Sequence, residues 1–591
     1  MTDYSAPLSD MRFAIRELAG LSEILELKAF ADVSDDVVDQ VLDEAARFAS
    51  EVWAPLNRVG DTMGVSVEDG AVTLPPGFKE AYQQFVEAGW QSLEISAEHG
   101  GMGFPSVVSA ATFEMLQSAN LALTLCPMLT SGAAHAIEAH ADEALKALYL
   151  PKLVSGEWTG TMCLTEPQAG SDLAAVTARA VADGDGYRIT GTKIYITWGD
   201  HEFPGNVVHL VLARLADAPE GVRGISMFLV PKFLPDAGGE PGERNDVRTV
   251  STEHKLGIHG SPTCVLNFGD GEGALGYLVG EANNGLACMF TMMNHARQSV
   301  GIQGLAISDR AYQQASKYAR DRVQGRAPGV EGRAAIIHHA DVRRMLMVMR
   351  SQIEAMRALV CVCAASVDLA SHAEDSAVQK AAELRMALLT PVVKGWLTET
   401  SQELTSLGIQ IHGGMGYVEE TGAAQHYRDA RILTIYEGTS GIQAGDLAGR
   451  KILRDGGAAF DELVAELREL NLDGTPVSEF AAAMTRAIDS LENSKVWLLE
   501  RAGQDPRAAG SASFNLMMEM GVVLGGWLMA KSAVAADRRS TTGGSERAGF
   551  YRNKITTCRF YLAQILPRAE AYGRAARSAP DDLMGIDAED L

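Results

Sequence analysis

The chain reads as an α+β protein in which a middle β segment separates two helical regions. Three observations lead there. Residues 1–157 place apolar side chains at helical spacing. From residue 159 to about 280 the pattern changes to β-branched residues in near alternation, cut by turn residues. Helical spacing resumes near Asn284 and runs to the end. No helical pattern separates the strands, which indicates an antiparallel barrel or sandwich rather than βαβ units.

Taken in order, the first segment, MTDYSAPLSDMRF, lacks a basic stretch followed by an apolar one, so it reads as neither leader nor transit peptide. DDVVDQVLDEAARFASEVWAPLN is an amphipathic helix that Pro55 should end or kink. FKEAYQQFVEAGW and SVVSAATFEMLQSA are further helices. The glycines of residues 100–105 follow no strand, so they are not a dinucleotide fingerprint. The strands are TMCLTE, GYRITGTKIYIT, VVHLVLARL, ISMFLVP and TCVLNFG, and residues 233–246 look like an exposed loop insertion. Two long amphipathic helices flank the loop RAPGVEGRA, and a composition break falls at residues 454–457. The expected segments are 1–157, 158–283, 284–453 and 454–591.

Composition narrows the function classes. The 591 residues carry 51 Lys plus Arg against 76 Asp plus Glu, a net charge of −25. Phosphate binding needs clustered cations, so general nucleic-acid binding is not expected. Residues 538–577 are locally cationic, with only Glu546 and Glu570 opposing nine Lys or Arg, and read best as solvated helix faces. Seven cysteines without paired spacing argue against a disulfide scaffold, and Cys361 and Cys363 read as core thiols. His338 and His339 read as a helix start, and no metal site is expected. The apolar run at residues 520–530 is too short for the ~20 residues that span a bilayer, so no transmembrane segment is expected and the location should be cytoplasmic.

Three stretches carry residues that packing alone explains poorly. MCLTEPQAGSD, residues 162–172, ends a strand in a turn set by Pro167 and Gly170, which frees backbone N–H groups and hydroxyls for a ligand. In GTKIYIT, residues 191–197, alternation puts Tyr195 and Thr197 on one face and Ile196 opposite, a surface suited to a flat heteroaromatic with polar edges. LTIYEGTSGIQ, residues 433–443, delivers Glu437 from an apolar approach just before a helix that Thr439 or Ser440 can cap. Apolar neighbours raise a carboxyl pKa and a helix N-terminus lowers it; a carboxylate between those pressures is a candidate general base.

In this order and spacing, these stretches resemble the acyl-CoA dehydrogenase family. Gln410-Ile411-His412-Gly413-Gly414, Arg428-Asp429-Ala430 and Asn294-His295-Ala296-Arg297 match as well, so the resemblance covers about residues 35–450. It implies a helical N-terminal domain, a β domain and a C-terminal four-helix bundle, here followed by an extra helical domain. It also implies a homo-oligomeric FAD enzyme that converts an acyl-CoA to the trans-2-enoyl-CoA and passes electrons to an electron-transfer flavoprotein. By position Glu437 would be the base that removes the α-proton, with its backbone N–H and a ribityl hydroxyl holding the thioester oxygen. Met162, Leu164, Thr165 and Ser171 would bind flavin, Ser171 also lying near the CoA pyrophosphate. Tyr195, Ile196 and Thr197 would flank the isoalloxazine, Tyr195 standing where Trp is usual. Arg322, Gln324, Gln410 and Gly414 would reach a neighbouring subunit's FAD; Thr439 and Gly441 would serve adenine and phosphate. Asn294, Arg297 and Gly438 would lie on the substrate side, and His412 would be a side wall rather than a catalyst.

The APLSDMRF start, the GIHGSPTC stretch and the C-terminal extension are similar to those of large bacterial members near 600 residues. That subgroup implies 3-methylmercaptopropionyl-CoA as substrate and 3-methylthioacryloyl-CoA as product. Straight-chain fatty acyl-CoA is the alternative, and the extension favours a homodimer over a tetramer. An acyl-CoA oxidase using O₂ and a DNA-associated flavoprotein are the rivals on the same fold.

Overall fold

A computed structural model describes residues 4–203, 205–542 and 547–591. Residues 1–3 of the N-terminal segment and Glu546 of the cationic stretch lie outside the described residues. The chain groups into two compact units, one of residues 47–104 and 119–296, the other of residues 1–46, 105–118 and 297–591.

In the first unit the β segment forms eight strands: β1 (Thr159–Cys163), β2 (Arg179–Asp183), β3 (Gly186–Thr197), β4 (Val207–Leu215), β5 (Ile225–Pro231), β6 (Val247–Thr252), β7 (Thr263–Phe268) and β8 (Ala274–Val279). They pair in the order β6-β7-β3-β8-β5-β4-β1, and β2 pairs with both β3 and β4. That double pairing closes β3, β8, β5, β4 and β2 into a ring, so the barrel is the form adopted. The sequence led to an antiparallel sheet, and the structure corrects this. β1 runs parallel to β4, with Thr159 opposite Val207, and β2 runs parallel to β4. No hairpin joins these pairs, and intervening chain supplies the long connection that a parallel pair requires.

Two hairpins depart from the sequence reading. Ser66–Glu68 pairs with Ala71–Thr73 inside the region read as helical. Its Asp69-Gly70 turn has φ of 49° and 78°, the left-handed geometry that such a dipeptide favours between paired strands. Phe233–Pro235 pairs with Pro241–Arg244 inside the presumed loop insertion. Pro55 does not end its helix either. A π-helical turn at Ala49–Trp53 precedes Ala54–Met63, so the missing proline N–H falls where the ladder is already displaced.

The second unit is helical. Ala340–His372 and Ser376–His412 are long helices, joined by the later part of Gly285–Asp321 and by Ser440–Gly445, which continues as a π-helix through Leu453. The apolar run at residues 520–530 belongs to a helix that is long and apolar enough to cross a membrane, but 89% of its most apolar window is buried inside the protein. Gly521 packs directly on the Trp396 ring and Gly525 on the Tyr561 hydroxyl, with no room for a Cβ at either. Glu519 in the same helix is fully buried and accepts hydrogen bonds from Ser490 and Ser494 at 2.6 Å each.

One buried ionic network joins distant stretches of this unit. Arg357, 2% exposed, pairs with Glu114 at 2.6 Å and with Asp10, and lies 3.6 Å from Asp309. Lys554 from the C-terminal extension pairs with Asp10 and, at 2.7 Å, with Glu354. Burial works against ionised Asp10, but Lys554 and Arg357 outweigh it and hold its pKa at about 2. Burial pushes Glu114 up to about 7 despite Arg357. Four further cations of the cationic stretch are paired at the surface: Arg538 and Arg539 with Glu17, Arg559 with Glu479, Arg568 with Glu403.

Lys554→Met removes the cation that Asp10 and Glu354 share. Leaving buried charge uncompensated costs ~3–5 kcal/mol. The denaturant midpoint followed by far-UV circular dichroism should fall accordingly; a midpoint indistinguishable from wild type would show that the network does not hold the extension.

Candidate active site

Seven of the residues singled out in the β unit sit at a bulge and its neighbouring loop. β3 and β7 pair Ile196 with Cys264 and then Lys193 with Leu266, so Ile194 and Tyr195 together oppose Val265 alone. Such a bulge re-aims side chains. Simple alternation puts Lys193 and Tyr195 on one face; instead Lys193 is fully buried and Tyr195 is 60% exposed. Tyr195 takes φ of 59°, a left-handed conformation costly for an aromatic residue and found where surroundings impose it. Ile196 is buried and Thr197 half-buried beside it.

The neighbouring loop is fixed from beneath by Glu166. Its carboxylate accepts from Lys193 Nζ, Thr177 N and Thr177 Oγ1 at 2.8 Å each, and from Ala178 N at 3.0 Å. Lys193 Nζ also donates to the Leu164 carbonyl at 3.0 Å. Burial opposes the Glu166 charge, but Lys193 and Thr177 outweigh it and hold the pKa at about 2. This knot makes Glu166 a loop-shaping residue. Above it Met162 and Thr165 are half-buried, Leu164 is buried and Ser171 is exposed. The hydroxyls of Thr165, Ser171, Tyr195 and Thr197 make no hydrogen bond among the described residues. An aromatic face bordered by uncommitted hydroxyls and an open Gly170 fits the polar-edged ring system of a flavin.

In the helical unit Glu437 lies between the 3₁₀ turn Arg431–Thr434 and the helix Ser440–Gly445. Thr439 Oγ1 caps that helix by accepting from Ile442 N at 3.2 Å. Glu437 takes φ of 55° and Gly438 φ of 86°, so the base candidate stands in a left-handed turn. Gln443 Nε2 donates to the Glu437 carbonyl at 3.1 Å, and the Tyr436 hydroxyl donates to Gln303. The Glu437 carboxylate and backbone N–H have no hydrogen-bond partner among the described residues. Burial pushes its pKa up to about 7, against the pull of Arg297 and Lys394.

Lys394 was not singled out from the sequence. It is fully buried, and its Nζ has no hydrogen-bond partner among the described residues. Burial pulls its pKa down to about 8, while Glu437 and Glu399 favour the charge. The available signal was a lysine inside the apolar run PVVKGWL. Arg297 is also buried, 3.7 Å from Asp446. His412 is buried, bonds the Gly408 carbonyl at 2.7 Å and packs its ring 4.5 Å from Tyr318, as expected of a wall. Arg322, Gln324, Gln410, Gly414 and Gly441 are exposed, and Gly438 and Thr439 half-buried. Asn294 is exposed in the β unit.

The chain belongs to the acyl-CoA dehydrogenase family, a class of FAD-dependent enzymes. Residues 36–157 match the acyl-CoA dehydrogenase N-terminal domain, 161–270 the middle domain and 283–452 the C-terminal domain. Residues 459–587 match the "acetyl-CoA dehydrogenase C-terminal like" domain. Among relatives, the chain is 48% identical to 3-methylmercaptopropionyl-CoA dehydrogenase of Ruegeria pomeroyi, over 98% of this chain and 99% of that one. It is 33% identical to a butyryl-CoA dehydrogenase of Syntrophomonas wolfei, over 99% and 98%. The crystal structure of Caenorhabditis elegans ACDH-11 in complex with C11-CoA superposes with a TM-score of 0.75 at 20% identity, covering 100% of this chain and 97% of that one.

If Glu437 acts as the ionised base, kcat/KM for acyl-CoA should rise with pH through an acid limb near 7, the value its burial imposes. Lys394→Met removes a cation that favours the anion. The limb should then move to higher pH, by ~1 unit. A limb unchanged in this variant would show that Lys394 does not tune the base.

Proposed function

We propose that the chain oxidises an acyl-CoA thioester to its trans-2-enoyl-CoA, with Glu437 as the base, and that its physiological acyl group is 3-methylmercaptopropionyl. The observation that carries the chemistry is the Glu437 turn: a half-buried carboxylate on a left-handed backbone, without a hydrogen-bond partner among the described residues, beside its own unused N–H. The carboxylate takes the α-proton, and the N–H is available to the thioester oxygen as negative charge develops there. Arg297 and Lys394 keep the base ionised before it acts. Bound FAD supplies the two-electron acceptor for the β-hydrogen. Thr165, Ser171, Tyr195 and Thr197, with Met162, Leu164 and Ile196, would hold it, and Glu166 and Lys193 would keep their loop in shape. Thr439 and Gly441 would serve its adenine and phosphate end, and Asn294, Arg297 and Gly438 the substrate side.

The substrate rests on the Ruegeria pomeroyi relative, whose name specifies that thioester and whose likeness spans both chains. A second reading, a straight-chain acyl-CoA, is supported by the Syntrophomonas relative. We also propose a homodimer, with an electron-transfer flavoprotein as electron acceptor. Arg322, Gln324, Gln410 and Gly414 are exposed, as residues serving a neighbour's cofactor would be, and Tyr417 beside them is 89% exposed. The segments 1–157, 158–283, 284–453 and 454–591 are proposed as its domains, in accord with the four family matches.

Glu437→Gln keeps the side-chain volume and removes the proton acceptor. It should retain FAD and acyl-CoA binding but lose turnover by ~10²–10⁴-fold or more. Anaerobic flavin bleaching on mixing with substrate reads this directly; bleaching at the wild-type rate would place the base elsewhere. In a panel of acyl-CoAs with electron-transfer flavoprotein as acceptor, 3-methylmercaptopropionyl-CoA should give the highest kcat/KM. A higher value for butyryl-CoA would transfer the assignment to the straight-chain reading. Light scattering should give the mass of two chains, and a monomer with full FAD would sink the dimer.

A further inference from the structure

We propose that Glu94, His135 and His295 bind one divalent transition-metal ion of the zinc class, with Glu138 orienting His135 from behind. All four residues belong to the β unit. Glu94 lies in the stretch between the turns Trp90–Ser92 and Ala97–His99, His135 in the helix Leu121–His140, and His295 in the helix Gly285–Asp321. No metal site was expected from sequence, because ligands at positions 94, 135 and 295 share no motif spacing.

One ligand atom from each residue lies within 4.8 Å of the other two. Glu94 sits between the imidazoles. Its Oε1 is 3.7 Å from His135 Nε2, and its Oε2 is 4.0 Å from His295 Nε2. The two rings are 5.1 Å apart, tilted by 47°. These separations are too long for hydrogen bonds. They are close to those of ligands around a common ion, where Zn–N and Zn–O distances of ~2.0–2.2 Å leave neighbouring ligand atoms ~3.4 Å apart.

The nitrogens themselves point the same way. His135 Nε2 and His295 Nδ1 are buried and have no hydrogen-bond partner among the described residues. Buried polar atoms are otherwise nearly always satisfied. His295 Nε2 is the nitrogen nearer Glu94, and a half-turn of the ring about Cβ–Cγ would put Nδ1 where Cδ2 now stands, so the ring can re-aim a nitrogen at the ion. Behind His135, Glu138 Oε2 lies 3.6 Å from Nδ1, and His99 Nε2 lies 3.4 Å from the other Glu138 oxygen. A carboxylate on the far nitrogen of a ligating histidine fixes its tautomer and aim.

Charge and ligand type select the ion. Glu94 and Glu138 bring two negative charges to a half-buried site, and one dication balances them with every imidazole neutral. Two imidazoles with one carboxylate suit zinc-like ions, whereas calcium and magnesium call for mainly oxygen ligands. The bound ion would tie the Glu94 stretch to two helices, leaving a coordination position for water.

The test uses untagged holoenzyme treated with chelator and desalted, then titrated with ZnCl₂ by calorimetry. One ion per chain should bind with a micromolar or lower Kd. X-ray absorption of the zinc-loaded protein should show imidazole scattering. His135→Gln and His295→Gln should each weaken binding by ~100-fold or more, and Glu138→Gln by ~10–100-fold. Absence of saturable binding in the wild type, which would leave these residues as a proton-sharing cluster, overturns the proposal. So does undiminished affinity in the two histidine variants with normal FAD content. If those variants fail to fold, an absorption spectrum without imidazole scattering overturns it on the wild type alone.

Discussion

Arg357 is the constraint on which the helical unit depends. Its guanidinium gathers carboxylates from Asp10, Glu114 and Asp309, and Asp10 passes the linkage to Lys554 and Glu354. Buried ion pairs contribute little net stability over apolar packing, but they strongly penalise any arrangement that separates their members. Here the members lie in the first helix, the segment 105–118, the long central helices and the C-terminal extension. The network therefore acts through specificity: any other docking of the extension would part Lys554 from Asp10 and Glu354. The high pKa of Glu114 allows one proton to reside there, which brings the surplus of acids closer to balance.

The Glu437 turn uses the opposite arrangement. In the network each buried carboxylate has close cationic partners; Glu437 has cations near it but no hydrogen bond among the described residues. A hydrogen-bonded carboxylate such as Glu166 is pinned at about 2 and would be a poor base. Both acids sit in sequence motifs of the family; Glu166 is buried and Glu437 half-buried. Their partners, not their sequence neighbours, separate a loop-holding residue from the proposed proton acceptor.

Much of this was legible in the sequence. The change from helical spacing to alternation and back placed the β region, because alternation is a local property of a half-buried strand. The segments around Thr165, Tyr195 and Glu437 were legible because their residues fit packing poorly. What escaped depends on contacts distant in sequence. The parallel pairing of β1 with β4 leaves no mark in either strand. The bulge at Ile194 and Tyr195 reverses the face on which Lys193 points, and alternation carries no sign of it. Lys394 looked like one lysine in an apolar helix, and the partners of Lys554 are hundreds of residues away. The buried helix at 508–542 was underestimated because its polar interruptions, among them Glu519, are satisfied by Ser490 and Ser494 on a separate helix.

The balance around Glu437 accounts for two cations standing near the proposed base, which would have to take a proton from carbon. Burial alone would raise the pKa until the resting group is protonated and inert at neutral pH. Full pairing would lower it until the anion is abundant but weakly basic. Arg297 is partly occupied by Asp446, and Lys394 is itself weakened by burial, so neither neutralises Glu437 completely. The resulting value of about 7 leaves a large ionised fraction while retaining basicity. The left-handed backbone at Glu437 serves the same end, since it turns both carboxylate and N–H away from the helical hydrogen bonds that would otherwise engage them.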